Sequence, residues 1–367
     1  LGHPALEGFF TDSFELKAER LWAPDFLAEF EARRGYPPEP WLPAVMLPGA
    51  DNHIFDGAGI PRSSPFGFGP DDARVRHDWQ RTVSDLFIER YVRTCTDWAE
   101  ARGLRSRIQP YGVGIDVIAA AAAAHVPEAE QLYAGGADFL VKAIASGAHL
   151  GARPVVSAES MVWAGKDHML TPTKLKAAAD KLFTAGVNRI LFHGFPYTIG
   201  EGYGDQGWHP FSSPWSGSGT YGSNVGESNA CWGFMPEISR YLSRVQWALR
   251  QGVPDVDVAV YFPFIGMTAA LGRLDDWDEE LYQGAFPGEP GDDRDALFDL
   301  VDAILGPADP GPAVAWMRAA KPHLDALQAA GLTWDLVNDG ALATATIDGD
   351  GRVRFGEATY GAVMLID

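Results

Sequence analysis

Apolar positions along this chain follow two rhythms. Short apolar runs at Leu6 to Glu15, Arg107 to Tyr111, Arg153 to Ser160 and Asn188 to Gly194 read as strands, and the first passes into a polar end. Between them lie stretches with apolar residues three or four apart. Phe26, Leu27 and Phe30, after Pro24 and before Gly35, predict one helix with a C-terminal stop. Val83, Leu86, Phe87, Tyr91, Cys95 and Trp98 predict a long helix from Val75 to Arg102, ended by Gly103. The alanine-rich Ile118 to Ala124, then Asp138 to Gly147, Thr173 to Ala185 and Pro236 to Gln251, complete the helical set. Strands alternating with helices in this way predict parallel α/β structure.

About four barrel-type strands precede Val256, where a closed (β/α) barrel needs eight. The expected fold is therefore α/β, a (β/α) TIM-type barrel incomplete at its N-terminus over residues 1–254, with an open sheet as the alternative. The strand Val256 to Phe262, helix Gly311 to Ala330 and strands Thr333 to Val337 and Gly361 to Ile366 predict the start of a three-layer α/β domain over residues 255–367. A chain that opens inside a barrel and stops at an apolar strand is expected to be a piece of a longer protein. Two long connections interrupt the pattern. Tyr36 to Pro70 is rich in Pro and Gly around Asp51, Asn52 and His53, and Phe195 to Trp232 is dominated by Gly, Ser, Trp, Tyr and Pro. Loops of that length usually carry function.

Composition narrows the classes. A net charge of -20 without a basic run argues against binding a phosphate backbone. Two cysteines, Cys95 and Cys231, are too few for a disulfide framework or a thiolate zinc site. No stretch approaches the roughly 20 apolar residues of a membrane span, and the opening LGHPALEGFF lacks a signal peptide's basic start and apolar run. Asp348-Gly-Asp-Gly351 resembles the start of a calcium loop but lacks the remaining ligands, so it reads as a hairpin turn.

The candidate chemistry lies where strands finish. Asp12 and Glu15 sit at the polar end of the first strand, and Glu159 follows the apolar run Pro154 to Ala158. Strand ends form the catalytic face of a (β/α) barrel, and cleaving a glycosidic bond by the common route needs two carboxyl groups. A helix cap or a salt-bridge partner is the commoner fate of any single such acid. Glu128 and Glu130, in His125-Val-Pro-Glu-Ala-Glu130, suit a hard divalent cation if they lie on a loop at that face. An acidic first turn of a helix is the favoured alternative. In the long aromatic loop, Tyr197, Trp208, Trp215, Asn224 and Glu227 offer flat faces and polar groups for a sugar ring, or else the packing of an aromatic-rich loop. His193, after the Ile190 to Phe192 strand, is equally a substrate contact or a buried histidine.

Several ordered segments together carry a likeness. Phe9-Phe-Thr-Asp-Ser-Phe-Glu15, Trp22-Ala-Pro-Asp-Phe-Leu27, Arg33-Arg-Gly-Tyr36, His125-Val-Pro-Glu-Ala-Glu130, Val156-Ser-Ala-Glu-Ser160 and Phe192-His-Gly-Phe-Pro196 resemble glycoside hydrolase family 106 over most of Phe9 to Phe262. The resemblance implies an inverting α-L-rhamnosidase with a (β/α) barrel and an active-site calcium ion, acting on an oligosaccharide or glycoside. It further implies Glu15 as general acid, Glu159 as general base, Asp12 as a further active-site acid, and Glu128, with Glu130 behind it, as calcium ligands. Export to the periplasm or beyond is implied as well. Against this stand a retaining, β-galactosidase-like barrel glycosidase and a catalytically silent sugar-binding scaffold.

Overall fold

A computed structural model describes residues 5–14, 16–18, 20–46, 51–52, 64–130, 138–161, 170–194, 225–227, 229–265 and 311–366. Strands β1 (Gly8–Thr11), β2 (Arg105–Ile108), β3 (Val126–Glu130), β4 (Ser157–Ser160) and β5 (Arg189–Phe192) pair in sequence order as one parallel sheet. The sheet is a curled half-barrel, with five of the eight strands that a closed barrel takes.

Helices make the crossovers. Between β1 and β2 run α1 (Phe26–Arg34), α2 (Asp72–Phe87) and α3 (Thr94–Glu100). The predicted single helix from Val75 to Arg102 is in fact α2 and α3 joined through a π-helical stretch, Ile88–Arg93. Phe14, just past β1, packs its ring against Phe87 and Tyr91 at that junction. Then α4 (Val117–Ala123) links β2 to β3, α5 (Asp138–Leu150) links β3 to β4, α6 (Pro172–Thr184) links β4 to β5, and α7 (Met235–Leu249) follows β5. No helix among the described residues is long and apolar enough to cross a membrane.

The sequence pattern missed β3. Val-Pro-Glu-Ala-Glu, with a proline and two carboxylates in five residues, has none of the β-branched alternation that marks a strand. Glu128 and Glu130 thus lie on a strand, neither on a loop nor in a first helical turn. Pairing on both edges holds the segment extended: Arg107 stands opposite Val126 on one side, Glu128 opposite Ser157 on the other.

Beyond the half-barrel, β6 (Val258–Tyr261), α8 (Gly311–Ala329), β7 (Trp334–Val337), α9 (Asp339–Ala343), β8 (Thr346–Ile347), β9 (Val353–Phe355), β10 (Ala358–Tyr360) and β11 (Ala362–Met364) follow. Among the described residues, the part expected to open a three-layer domain holds a parallel sheet, β11-β6-β7, and an antiparallel sheet, β8-β9-β10. Asp348 to Gly351 is the hairpin turn between β8 and β9, closed by the Arg352 amide on Asp348 Oδ1 at 2.9 Å.

Helix α5 is shared by the two parts. Its Ala143, Ile144 and Ala148 belong to one buried cluster with Val117 and Ile118 of α4, and with Val258, Val260 and Leu336 of the second parallel sheet. Gly147 permits this approach, because a Cβ there would stand 2.3 Å from the Ile118 carbonyl oxygen. A polar knot lies in the same seam. Asp335, wholly buried on β7, accepts from His149 Nδ1 at 2.8 Å and Tyr360 Oη at 3.0 Å, with Lys142 Nζ at 3.5 Å. The buried position raises the cost of its charge, but the Lys142 and His149 side chains outweigh that and hold the carboxyl at about 2.

Candidate active site

Side chains alternate between the two faces of a strand, and cross-strand partners share a face. Phe10 pairs with Arg107, Arg107 with Val126, Glu128 with Ser157, Glu130 with Glu159, and Glu159 with Leu191. Counting on in twos, the register places Asp12, Gln109, Tyr111, Glu128, Glu130, Glu159 and His193 on one face, at or just past the C-terminal ends of their strands. That is the end of a (β/α) barrel where catalytic groups collect.

The side chains form a connected network. Glu159 receives His193 Nδ1 at 2.8 Å and Gln109 Nε2 at 2.6 Å, one on each carboxylate oxygen. Glu128, only 1% exposed, accepts from Ser157 Oγ at 2.6 Å and Gln109 Nε2 at 3.2 Å, with Arg107 Nε at 3.3 Å. Tyr111 Oη donates to Glu130 Oε2 at 3.0 Å. Asp12, exposed beyond β1, accepts from the Ser13 amide at 2.9 Å. The guanidinium of Arg107 lies 4.2 Å from the centroid of the Phe10 ring.

Backbone geometry next to Glu159 is constrained. Met161 takes a left-handed φ of 69°, a conformation that costs a β-carbon residue roughly 1–3 kcal/mol. Its wholly buried side chain, packed with Leu170, Leu175 and Val225, offsets that cost.

The carboxyl groups differ in proton affinity. Burial alone would raise Glu159, but the hydrogen bonds from His193 and Gln109 and the nearby Arg107 outweigh it and keep the carboxyl below its ordinary range. Burial pushes Glu130 up to about 7, with the charges of Glu159 and Asp12 adding to the rise. Burial also raises Glu128, against its bonds to Ser157 and Gln109 and the charge of Arg107. His193 is raised in spite of burial, because Glu159 favours its cationic form. The face therefore holds one readily ionised carboxylate beside another that keeps a proton up to about neutral pH.

The residues present do not fit a calcium ion held by Glu128. Its carboxylate already takes three donors, Ser157, Gln109 and Arg107, and Arg107 supplies the positive charge that a cation would bring. No group of three or more His, Cys, Asp or Glu side chains suited to a metal ion occurs among the described residues.

Of the sequence candidates, Asp12, Glu128, Glu130, Glu159 and His193 come together here. Glu227 lies exposed on the short segment 225–227. Glu15, Tyr197, Trp208, Trp215 and Asn224 lie outside the described residues, as does His53. Arg107, Gln109, Tyr111 and Ser157 were not singled out from sequence. The signal that finds them is the two-residue period carried across from Glu159, and it is readable only once β3 is known to be a strand.

A half-barrel with paired carboxylates at its strand ends is the arrangement of a carboxylate-dependent hydrolase. The family of α-L-rhamnosidases, glycoside hydrolase family 106, matches residues 1–274, and the chain belongs to that family. A rhamnosidase from Novosphingobium sp. PP1Y has the same fold, with a TM-score of 0.61 and 22% identity over 98% of this chain and 28% of that one. A Formosa agariphila protein provisionally named beta-glucuronidase is 28% identical over 254 residues, 68% of this chain and 19% of that one. The chain thus spans well under a third of the length of either. The family to which it belongs is one of glycosidases.

Proposed function

We propose that this chain carries the catalytic face of an inverting α-L-rhamnosidase, with Glu159 as general base and Glu15 as general acid. The observation that supports the reading best is the Glu159 carboxylate, half-buried at a strand end and kept ionised by His193 and Gln109. An ionised carboxylate of this kind takes a proton from water as the water attacks the anomeric carbon. The leaving oxygen departs from the opposite face and receives its proton from Glu15. The positive charge that develops on the sugar ring is met by Asp12 and Glu159. Tyr197, Trp208, Trp215, Asn224 and Glu227 are the proposed sugar contacts, with His193 both holding the base and lining the site. No step is assigned to calcium.

The test is turnover of an aryl α-L-rhamnoside by the protein at its natural length. Glu15→Gln and Glu159→Gln should each lower kcat by at least ~100-fold, the usual worth of a general acid or base. Near-normal turnover in either refutes the pairing. The sugar first released should carry the inverted anomeric configuration by NMR, and a retained product identifies a retaining glycosidase instead. An aryl β-glucuronide assayed in parallel tests the substrate class.

A further inference from the structure

The structure assigns a positioning role to Gln109, a side chain that ties three strands to the proposed base. Gln109 lies one residue past β2 and is wholly buried. Its Oε1 accepts from the Ser13 amide beyond β1 at 3.0 Å, and its Nε2 donates to Glu128 on β3 at 3.2 Å and to Glu159 on β4 at 2.6 Å. Its own backbone amide is held by the Thr11 carbonyl at 3.0 Å.

The orientation of this amide follows from its partners. An ionised carboxylate can only accept and a backbone N–H can only donate, so the NH2 end must face the two glutamates and the oxygen must face Ser13. Two hydrogens serve two carboxylates, and none is left over. Glu128 makes the other end of the bar rigid, since Ser157 and Arg107 hold it in place. One oxygen of Glu159 is thereby fixed by Gln109 and the other by His193, which leaves a lone pair on each to receive a proton from water.

Gln109 accordingly does two things for the base. It sets the direction of the carboxylate, and it stabilises the charged form with a hydrogen bond from a neutral donor, which does not compete for the proton. Apart from this amide, the charged and titratable groups around Glu159 among the described residues are His193 past β5, Arg107 and Tyr111 on the β2 side, Glu128 and Glu130 on β3, and Asp12 past β1.

This inference rests on Glu159 being the general base, and the experiment separates the two. Gln109→Met keeps the volume and removes both donors. Its kcat/KM for an aryl α-L-rhamnoside should lose its acid limb at a pH higher by about one unit, the shift expected when one charge-assisted hydrogen bond is lost. KM should change little while kcat falls. Gln109→Glu, close to isosteric, places a third carboxyl between Glu128 and Glu159 and should move the limb further up; it decides the matter if Gln109→Met does not fold. A folded variant whose acid limb stays at the wild-type pH overturns the positioning role. Glu159→Gln with near-normal turnover overturns the reading of the base itself, whatever Gln109 does.

Discussion

Replacing Asp335 by asparagine tests the seam that joins the half-barrel to the second parallel sheet. The carboxyl stands at about 2 in the folded chain, against 3.8 for an ordinary aspartate. A depression of that size contributes on the order of 2–3 kcal/mol to folding at neutral pH. Asparagine keeps the shape but not the charge, and so leaves the Lys142 ammonium, itself 10% exposed, without its counter-charge. Breaking one partner from a buried pair generally costs about 3–5 kcal/mol, so a loss of about 3 kcal/mol is expected. For a chain of this size that lowers Tm by about 5 °C at pH 7. The sign of the pH dependence is fixed. Because the folded value is depressed, the stabilisation is fully present above the ordinary aspartate value and fades as pH falls from 3.8 toward 2. Thermal unfolding of both proteins at pH 7, 5, 4 and 3 should show a constant gap down to pH 5 that narrows below it. Equal Tm values at pH 7, or a gap that widens on acidification, refute the electrostatic account of the seam.

Three further predictions concern the site and the core. His193→Ala removes the donor on the second oxygen of Glu159, so the Glu159 carboxyl rises and the acid limb of kcat/KM moves to higher pH, read from a pH-rate profile on an aryl α-L-rhamnoside. Glu130 is held at about 7 in the folded chain, so its ionisation opposes folding from pH 4.5 upward and does so in full above pH 7. Glu130→Gln should therefore gain stability relative to wild type between pH 5 and pH 8, by up to about 3 kcal/mol in thermal or urea unfolding; a constant difference across that range contradicts the burial argument. Gly147→Ala drives a methyl group to within 2.3 Å of the Ile118 carbonyl oxygen and should cost at least about 1–3 kcal/mol, measured as a lower Tm, because α4 and α5 must move apart.

The sequence by itself determined the alternation of strands and helices, the places of most helices to within a few residues, and the strand ends where acids collect. Those follow from local rules: apolar period, capping glycines and prolines, and the rule that strand ends make the barrel's catalytic face. Glu159 and Asp12 were legible as strand-end acids for that reason, and the ordered motifs supplied the family. The turn at Asp348 to Gly351 was legible too, since its chemistry is wholly local.

Tertiary structure decided the rest. Val126–Glu130 is a strand because β2 and β4 pair with it on both edges, a contact no local pattern records. Its two glutamates face the site because register, once set by the neighbours, fixes every second side chain. The different proton affinities of Glu159 and Glu130, directly opposite each other across two strands, come from which donors reach each one. Gln109 shows the limit most plainly. A lone glutamine near a strand end carries no chemical signature, and its importance arises only when folding brings Ser13, Glu128 and Glu159, far apart in the chain, around one amide group.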